Sequence, residues 1–283
     1  MHVLILGASG LLGSSLLRYF AGLEGITVSG TVRRQADAAL FPASLGGQLR
    51  ANVDVLSPDL LQLLDEIKPD IIVNCVGLVK QLSSADDPLQ AIPLNALLPH
   101  RLAALATDLN ARLIHFSTDC VFRGTVGMYR ESDLPDASDL YGRSKLLGEV
   151  TYSNAITLRT SLIGHEMMGA RSLINWFLAQ RGTINGFTGA VFSGLPTVEI
   201  ASVIAKYVFP RPDLCGLYHL SAEPINKYEL LSLVAEIYNK NIEIQPCEAP
   251  KIDRSLDSSL FRGATGYTPP PWRQLVTYMH EFG

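Results

Sequence analysis

The sequence predicts a doubly wound α/β fold, a parallel sheet with helices on both faces and a smaller C-terminal lid. Three observations carry this. Brief apolar runs alternate with helical stretches through about the first 160 residues, the pattern of parallel strands buried on both faces. The first run passes directly into a glycine-rich turn that opens a helix. The 283 residues, 47% hydrophobic and 18% charged, suffice for one large or two modest domains with a buried core.

Taken in order, strands are expected at Val3–Leu6, Thr27–Val32, Ile71–Cys75, Leu113–Phe116 and Ile156–Leu158. Helices are expected between them at Leu11–Gly22, Pro58–Ile67, Leu94–Leu109 and Asp139–Tyr152. After about Thr160 glycine and proline become frequent, and helices are expected at Ser172–Arg181, Val198–Phe209 and Lys227–Asn239. Ligands of doubly wound sheets sit beyond the C-terminal strand ends, so a lid there completes a second pocket. The expected division is 1–164 for the sheet domain, with 196–219 returning to it, and 165–195 plus 220–283 for the lid.

Composition narrows the function. Twenty-seven acidic against 23 basic side chains leave a net charge of −4, which argues against a nucleic-acid or membrane-surface partner. No apolar run approaches the ~20 residues needed to span a bilayer. Met1-His2-Val3-Leu4-Ile5-Leu6-Gly7 reads as a strand entering a turn, without the basic start of a signal peptide. Cys75, Cys120, Cys215 and Cys247 are scattered, so neither a disulfide framework nor a zinc knuckle is expected. These bounds describe a cytoplasmic enzyme with no metal.

Gly7-Ala8-Ser9-Gly10-Leu11-Leu12-Gly13 carries the spacing of a dinucleotide loop inside a βαβ unit of about 30 residues. Gly7 permits the tight turn, Gly10 lets backbone approach a pyrophosphate, and Gly13 lets helix and strand pack closely. Ser9, Leu11 and Leu12 complete the cradle, and the helix N-terminus offers N–H groups and a positive dipole end. The sheet is thus of Rossmann type. An acid about 20 residues beyond the glycines commonly accepts from a ribose 2′-hydroxyl, and counting from Gly13 reaches Arg33 instead. Arg33 and Arg34 favour a 2′-phosphate, and hence NADP(H).

Tyr141 and Lys145 form a YxxxK pair on one helix face. A neighbouring ammonium is expected to lower the phenol's pKa and fit it for proton exchange with a carbonyl. Upstream, Ser117, Thr118 and Asp119 follow a buried strand into a loop. Either hydroxyl, Thr118 or Ser117, suits hydrogen bonding to a substrate oxygen at the strand end, and a capping role in the turn is the plainer alternative.

The order GASGLLG at 7–13, NVDV at 52–55, NCVG at 74–77, STDCVF at 117–122, YGRSK at 141–145, LRTS at 158–161 and GLPT at 194–197 resembles the extended short-chain dehydrogenase/reductases. Within them it is most similar to the dTDP-4-dehydrorhamnose reductase-like sugar-nucleotide reductases. The resemblance implies that Asp54 and Val55 border adenine, and that Val76 and Gly77, with Cys75 beside them, line the ribose side. It further implies that Thr118, Tyr141 and Lys145 form the catalytic set, with Lys145 also on the nicotinamide ribose. A nucleotide-linked 4-keto-6-deoxy sugar is the implied substrate, and a homodimer is left open. Members commonly carry Tyr at the position of Cys120 and Trp at that of Leu162, both beside the substrate. Dehydratases of the superfamily place Glu where this chain has Cys120, and epimerases favour the acid that Arg33 replaces. The regulatory subunit of methionine adenosyltransferase resembles the same family, so a binding protein without turnover is the alternative of another class.

Lys80 and Arg254 are further candidates for substrate contact, Arg254 for a pyrophosphate. Gly164-His165-Glu166 offers two metal ligands without a third and reads as loop or pocket wall. Trp176-Phe177 reads as lid core, and Phe187 and Phe192 as either lid core or a base-stacking surface.

Overall fold

The computed structural model describes residues 1–78 and 86–283; Lys80 lies outside them. Seven parallel strands form the central sheet: β1 (His2–Leu6), β2 (Thr27–Thr31), β3 (Leu49–Arg50), β4 (Ile71–Asn74), β5 (Arg112–Thr118), β6 (Ala155–Thr160) and a last strand, Gly216–His219. Their order is Gly216–His219, β6, β5, β4, β1, β2, β3. One register row crosses all seven through Leu49, Gly30, Ile5, Val73, Ile114, Ile156 and Gly216. Strand order reverses between β1 and β4, and the crevice at such a switch point is where these folds bind ligands.

Alternation along the strands divides the core into two layers. Val3, Ile5, Val73, Ile114 and Ile156 face helix α1 (Leu11–Ala21) and the segment after Thr197. Leu4, Leu6, Ile72 and Leu113 face the helices Asp59–Ile67 and Leu98–Asp108. A third cluster, with Ile163, Ile174, Phe177, Phe192, Leu230, Leu231 and Val234, is a separate core outside these two layers. Val276 and Met279 join that cluster, whereas Phe261, Tyr267 and Leu275 pack in the sheet's own core.

The structure differs from the sequence expectations in local ways that have physical causes. Strand β3 is two residues long, too short for any periodicity to show. The Gly216–His219 strand reads Gly-Leu-Tyr-His, half polar, because it closes the sheet's edge. The helix expected over Asp139–Tyr152 spans Leu140–Leu147 and stops at Gly148, where a side chain would collide with the Asn95 carbonyl oxygen. The helix expected from Leu94 begins as a π-helical turn, Ile92–Leu97, which contains Pro93 and is followed by Pro99, each of which lacks a backbone donor.

Candidate active site

Gly7 adopts a φ of 81°, and a Cβ there would sit 3.0 Å from Val76 Cγ2 and 3.2 Å from the Cys75 backbone. The tips of β1 and β4 therefore touch across the switch point. A Cβ on Gly13 would be driven into the Gly7 carbonyl oxygen. The sequence reading missed Thr31, whose Oγ1 accepts from Gly7 N at 3.2 Å while its carbonyl accepts from Ala8 N at 2.8 Å. A β-branched hydroxyl closing the second strand of a βαβ unit is the signal that would have found it. Helix α1 has neither a side-chain cap nor an acid in its first turn. Its N–H groups at Leu11, Leu12 and Gly13, together with Ser9 and Gly10, form a cradle that fits a pyrophosphate.

At the end of β2 the two arginines part company. Arg34 donates from Nε and Nη2 to Asp37, at 3.1 and 2.6 Å, so most of its fork is taken. Hydrogen bonding to Arg34 holds the Asp37 carboxyl below its usual range. Arg33 stands exposed beside them. Asp54 Oδ1 accepts from Leu56 N at 2.9 Å, closing the turn that presents buried Val55 behind β2.

Three consecutive residues at the tip of β5 meet the helix Leu140–Leu147 and the residue just past it. Lys145 Nζ donates to the Phe116 carbonyl at 2.6 Å, and Ser117 Oγ donates to Glu149 Oε1 at 2.6 Å. Thr118 neighbours the Tyr141 phenol, accepts from Cys120 N at 3.1 Å and donates to Asp119 Oδ1 at 3.0 Å. Adjacent residues of a strand point to opposite faces, so only one hydroxyl can face the crevice. It is Thr118; Ser117, the other candidate, is turned inward onto Glu149. The capping role also proves real for Thr118, which caps the short turn Asp119–Val121. Gly142 allows this meeting, since a Cβ there would run into the Cys120 carbonyl.

The electrostatics correct one expectation. Burial pushes the Tyr141 phenol well above its ordinary pKa, reinforced by Cys120 and opposed by the neighbouring Thr118 hydroxyl. Lys145 lies with its ammonium on a backbone carbonyl, not on the phenol, and burial lowers it to about 8. In the free protein the expected activation of Tyr141 by Lys145 is therefore outweighed by desolvation. The lysine is the group of the pair that titrates near neutrality.

Two more side chains complete the site. Asn95, in the π-helical turn and fully buried, donates to Ser144 Oγ at 3.2 Å and accepts from Leu78 N at 2.9 Å. A Cβ on Gly77 would lie 3.2 Å from Asn95 Oδ1 and 4.0 Å from Lys145 Nζ, so Asn95 and Lys145 flank the tip of β4. Asn95 has no sequence signal; only the fold brings it there. Cys75 is the half-buried neighbour, its thiol pushed up by desolvation.

A family model described as the RmlD substrate binding domain matches residues 1–281. The chain belongs to this family. Among its relatives is a probable low-salt glycan biosynthesis reductase of Haloferax volcanii, 33% identical over 79% of this chain and 75% of that protein. The methionine adenosyltransferase 2 subunit beta of Xenopus tropicalis is 29% identical over 74% of the chain, which spans 63% of that protein. The fold matches a dTDP-4-dehydrorhamnose reductase from Bacillus anthracis solved in complex with NADP, with a TM-score of 0.80 and 21% identity. That match covers 99% of this chain and 98% of the other. No helix among the described residues is long and apolar enough to cross a membrane.

Around the crevice, the remaining candidate residues are held by the rest of the fold. Asp119 is buried beside Thr118, and desolvation raises its carboxyl despite the positive field of Arg254. Arg254 is half-buried and donates from Nε to the Phe122 carbonyl at 2.7 Å, which fixes its guanidinium on the loop after β5. Leu162 pairs with Leu195 in a short parallel ladder. Glu166 accepts from Arg171 N and Ser172 N, both at 2.9 Å, and His165 Nε2 meets Tyr238 Oη at 2.8 Å. These two side chains are occupied as loop braces. Phe177 and Phe192 lie in the third core cluster, Trp176 is 39% exposed, and Phe187 is half-buried.

Proposed function

We propose that the protein is an NADPH-dependent reductase of a nucleotide-linked 4-keto-6-deoxy sugar, acting in deoxysugar or cell-surface polysaccharide synthesis. The observation that carries this reading is the juxtaposition of Thr118 and Tyr141 at the β5 tip, across the switch point from the glycine cradle. Bound NADPH supplies a hydride to the sugar's C4 carbonyl. Tyr141, held neutral by burial, donates its phenolic proton to the developing alkoxide. Thr118 orients the carbonyl oxygen, and Lys145, at the tips of β4 and β5, binds the nicotinamide ribose. Asp119 and Arg254 border the sugar nucleotide, with Arg254 on its phosphates. The glycan-biosynthesis reductase among its relatives supports the reaction class.

The likeness to a methionine adenosyltransferase subunit supports a second reading, a protein that binds NADP without turning it over. Incubating purified protein with NADPH and a panel of nucleotide-linked keto sugars separates the two. Oxidation of NADPH only in the presence of one sugar is the outcome expected; tight NADPH binding with no oxidation across the panel favours the second.

Cofactor choice is a separate prediction. Arg33→Ala should weaken NADPH binding roughly tenfold, the loss of one solvent-screened phosphate contact, and leave NADH nearly unchanged. Titrating both cofactors into both proteins checks it, and equal preference in wild type and variant would remove Arg33 from the site.

A further inference from the structure

Glu149 stands four residues beyond Lys145, just past the Gly148 cap. Besides the Ser117 hydroxyl, its carboxylate receives Arg159 Nε at 2.7 Å and Arg159 Nη2 at 2.6 Å. The two side chains are only 7% and 3% exposed, whereas every other ion pair among the described residues has at least one largely exposed partner. A buried pair of this kind is weak evidence for stability, because apolar residues of equal volume serve as well. Its place beside the site's lysine suggests another use.

We propose that Glu149 is the positioning residue for Lys145: clamped by Arg159 and Ser117, its carboxylate fixes the helix on β5 and sustains the lysine's charge. The inference rests on the role given to Lys145 in the proposed function. The titratable groups facing Lys145 are Tyr141 and Glu149 beside it in sequence, Cys75 from the end of β4, and His115 from β5; Arg159 of β6 acts through Glu149. Burial pushes the Tyr141 phenol and Cys75 thiol up and the His115 imidazole down, so these three are neutral near physiological pH. The Glu149 carboxylate is thus the anion that opposes the desolvation of Lys145.

The test is the pH dependence of NADPH binding, followed by cofactor fluorescence. Lys145 is protonated below its pKa and neutral above it, so affinity in wild type should fall as pH rises through about 8. Glu149→Gln removes the anion and leaves the Arg159 cation, so this alkaline limb should move to lower pH by about half a unit or more, roughly threefold in affinity at the midpoint. Arg159→Gln leaves the anion unscreened, so the limb should move the opposite way, and Arg159→Lys should restore it. If Glu149→Gln alone does not fold, comparing Arg159→Gln with the double substitution reads the same carboxylate. A pair with only a structural role would lower thermal stability while moving both limbs alike or not at all, and that result overturns the inference alone. A limb that survives Lys145→Met overturns the lysine's role in the proposed function, and the inference with it.

Discussion

Tyr141→Phe is expected to lower reductase turnover by roughly 10²–10⁴-fold while NADPH affinity stays close to wild type. The substitution keeps the ring, its packing and the helix, and removes the one proton that the geometry offers to a C4 alkoxide. The expectation is sharpened by burial: because the phenol's pKa lies far above neutrality, Tyr141 starts protonated across the working range. Any loss of activity on the alkaline side then reports Lys145, not the phenol. Single-turnover reduction of the matching keto sugar is the measurement. A variant that reduces it at close to the wild-type rate would place the acid at Asp119 or a bound water.

Gly13→Ala should have an effect of similar size for a different reason. The new methyl group would overlap the Gly7 carbonyl, and backbone cannot swing aside as a side-chain end can. Either α1 retreats from β1 or the loop distorts, at a cost of about 1–3 kcal/mol in overpacking. A shift of that kind displaces the N–H groups from the pyrophosphate, so NADPH affinity should fall by roughly 10²-fold or more, while Arg33→Ala costs far less. Calorimetric titration with NADPH beside a thermal melt distinguishes a distorted cradle from an unfolded protein. Wild-type affinity in Gly13→Ala would show that the close approach of helix and strand is dispensable.

Much of this architecture was legible in the residues because it depends on local signals. The apolar runs of β1, β4, β5 and β6 and the glycine spacing before α1 are properties of short windows, and the chain's order of motifs located the crevice. What escaped depends on contacts between distant segments. Thr31 and Asn95 matter through bonds to Gly7 and Leu78, and a lone Thr or Asn announces nothing in a sequence. The YxxxK spacing placed Tyr141 and Lys145 on one face but could not weigh desolvation, which reverses the expected shift of the phenol. Nor could it tell Ser117 from Thr118, a choice made by the pleat of β5. Arg34 looked equivalent to Arg33 until Asp37 was seen to hold it.

The loop after β5 is joined to the segment near Arg254 by bonds that bridge more than 120 residues of sequence. Tyr129 N donates to the Ser255 carbonyl at 2.9 Å, Asp257 N to the Tyr129 carbonyl at 2.8 Å, and Asp253 N to the Gly124 carbonyl at 2.8 Å. Gly127 is pressed so closely on the Asp253 carboxylate that it has no room for a side chain. These two stretches therefore form a single structural unit. A chimera that imports residues 250–258 from a relative to change sugar preference would misfit unless residues 123–131 came with it. The C-terminal segment and the loop that follows Thr118 can then be exchanged only as a pair.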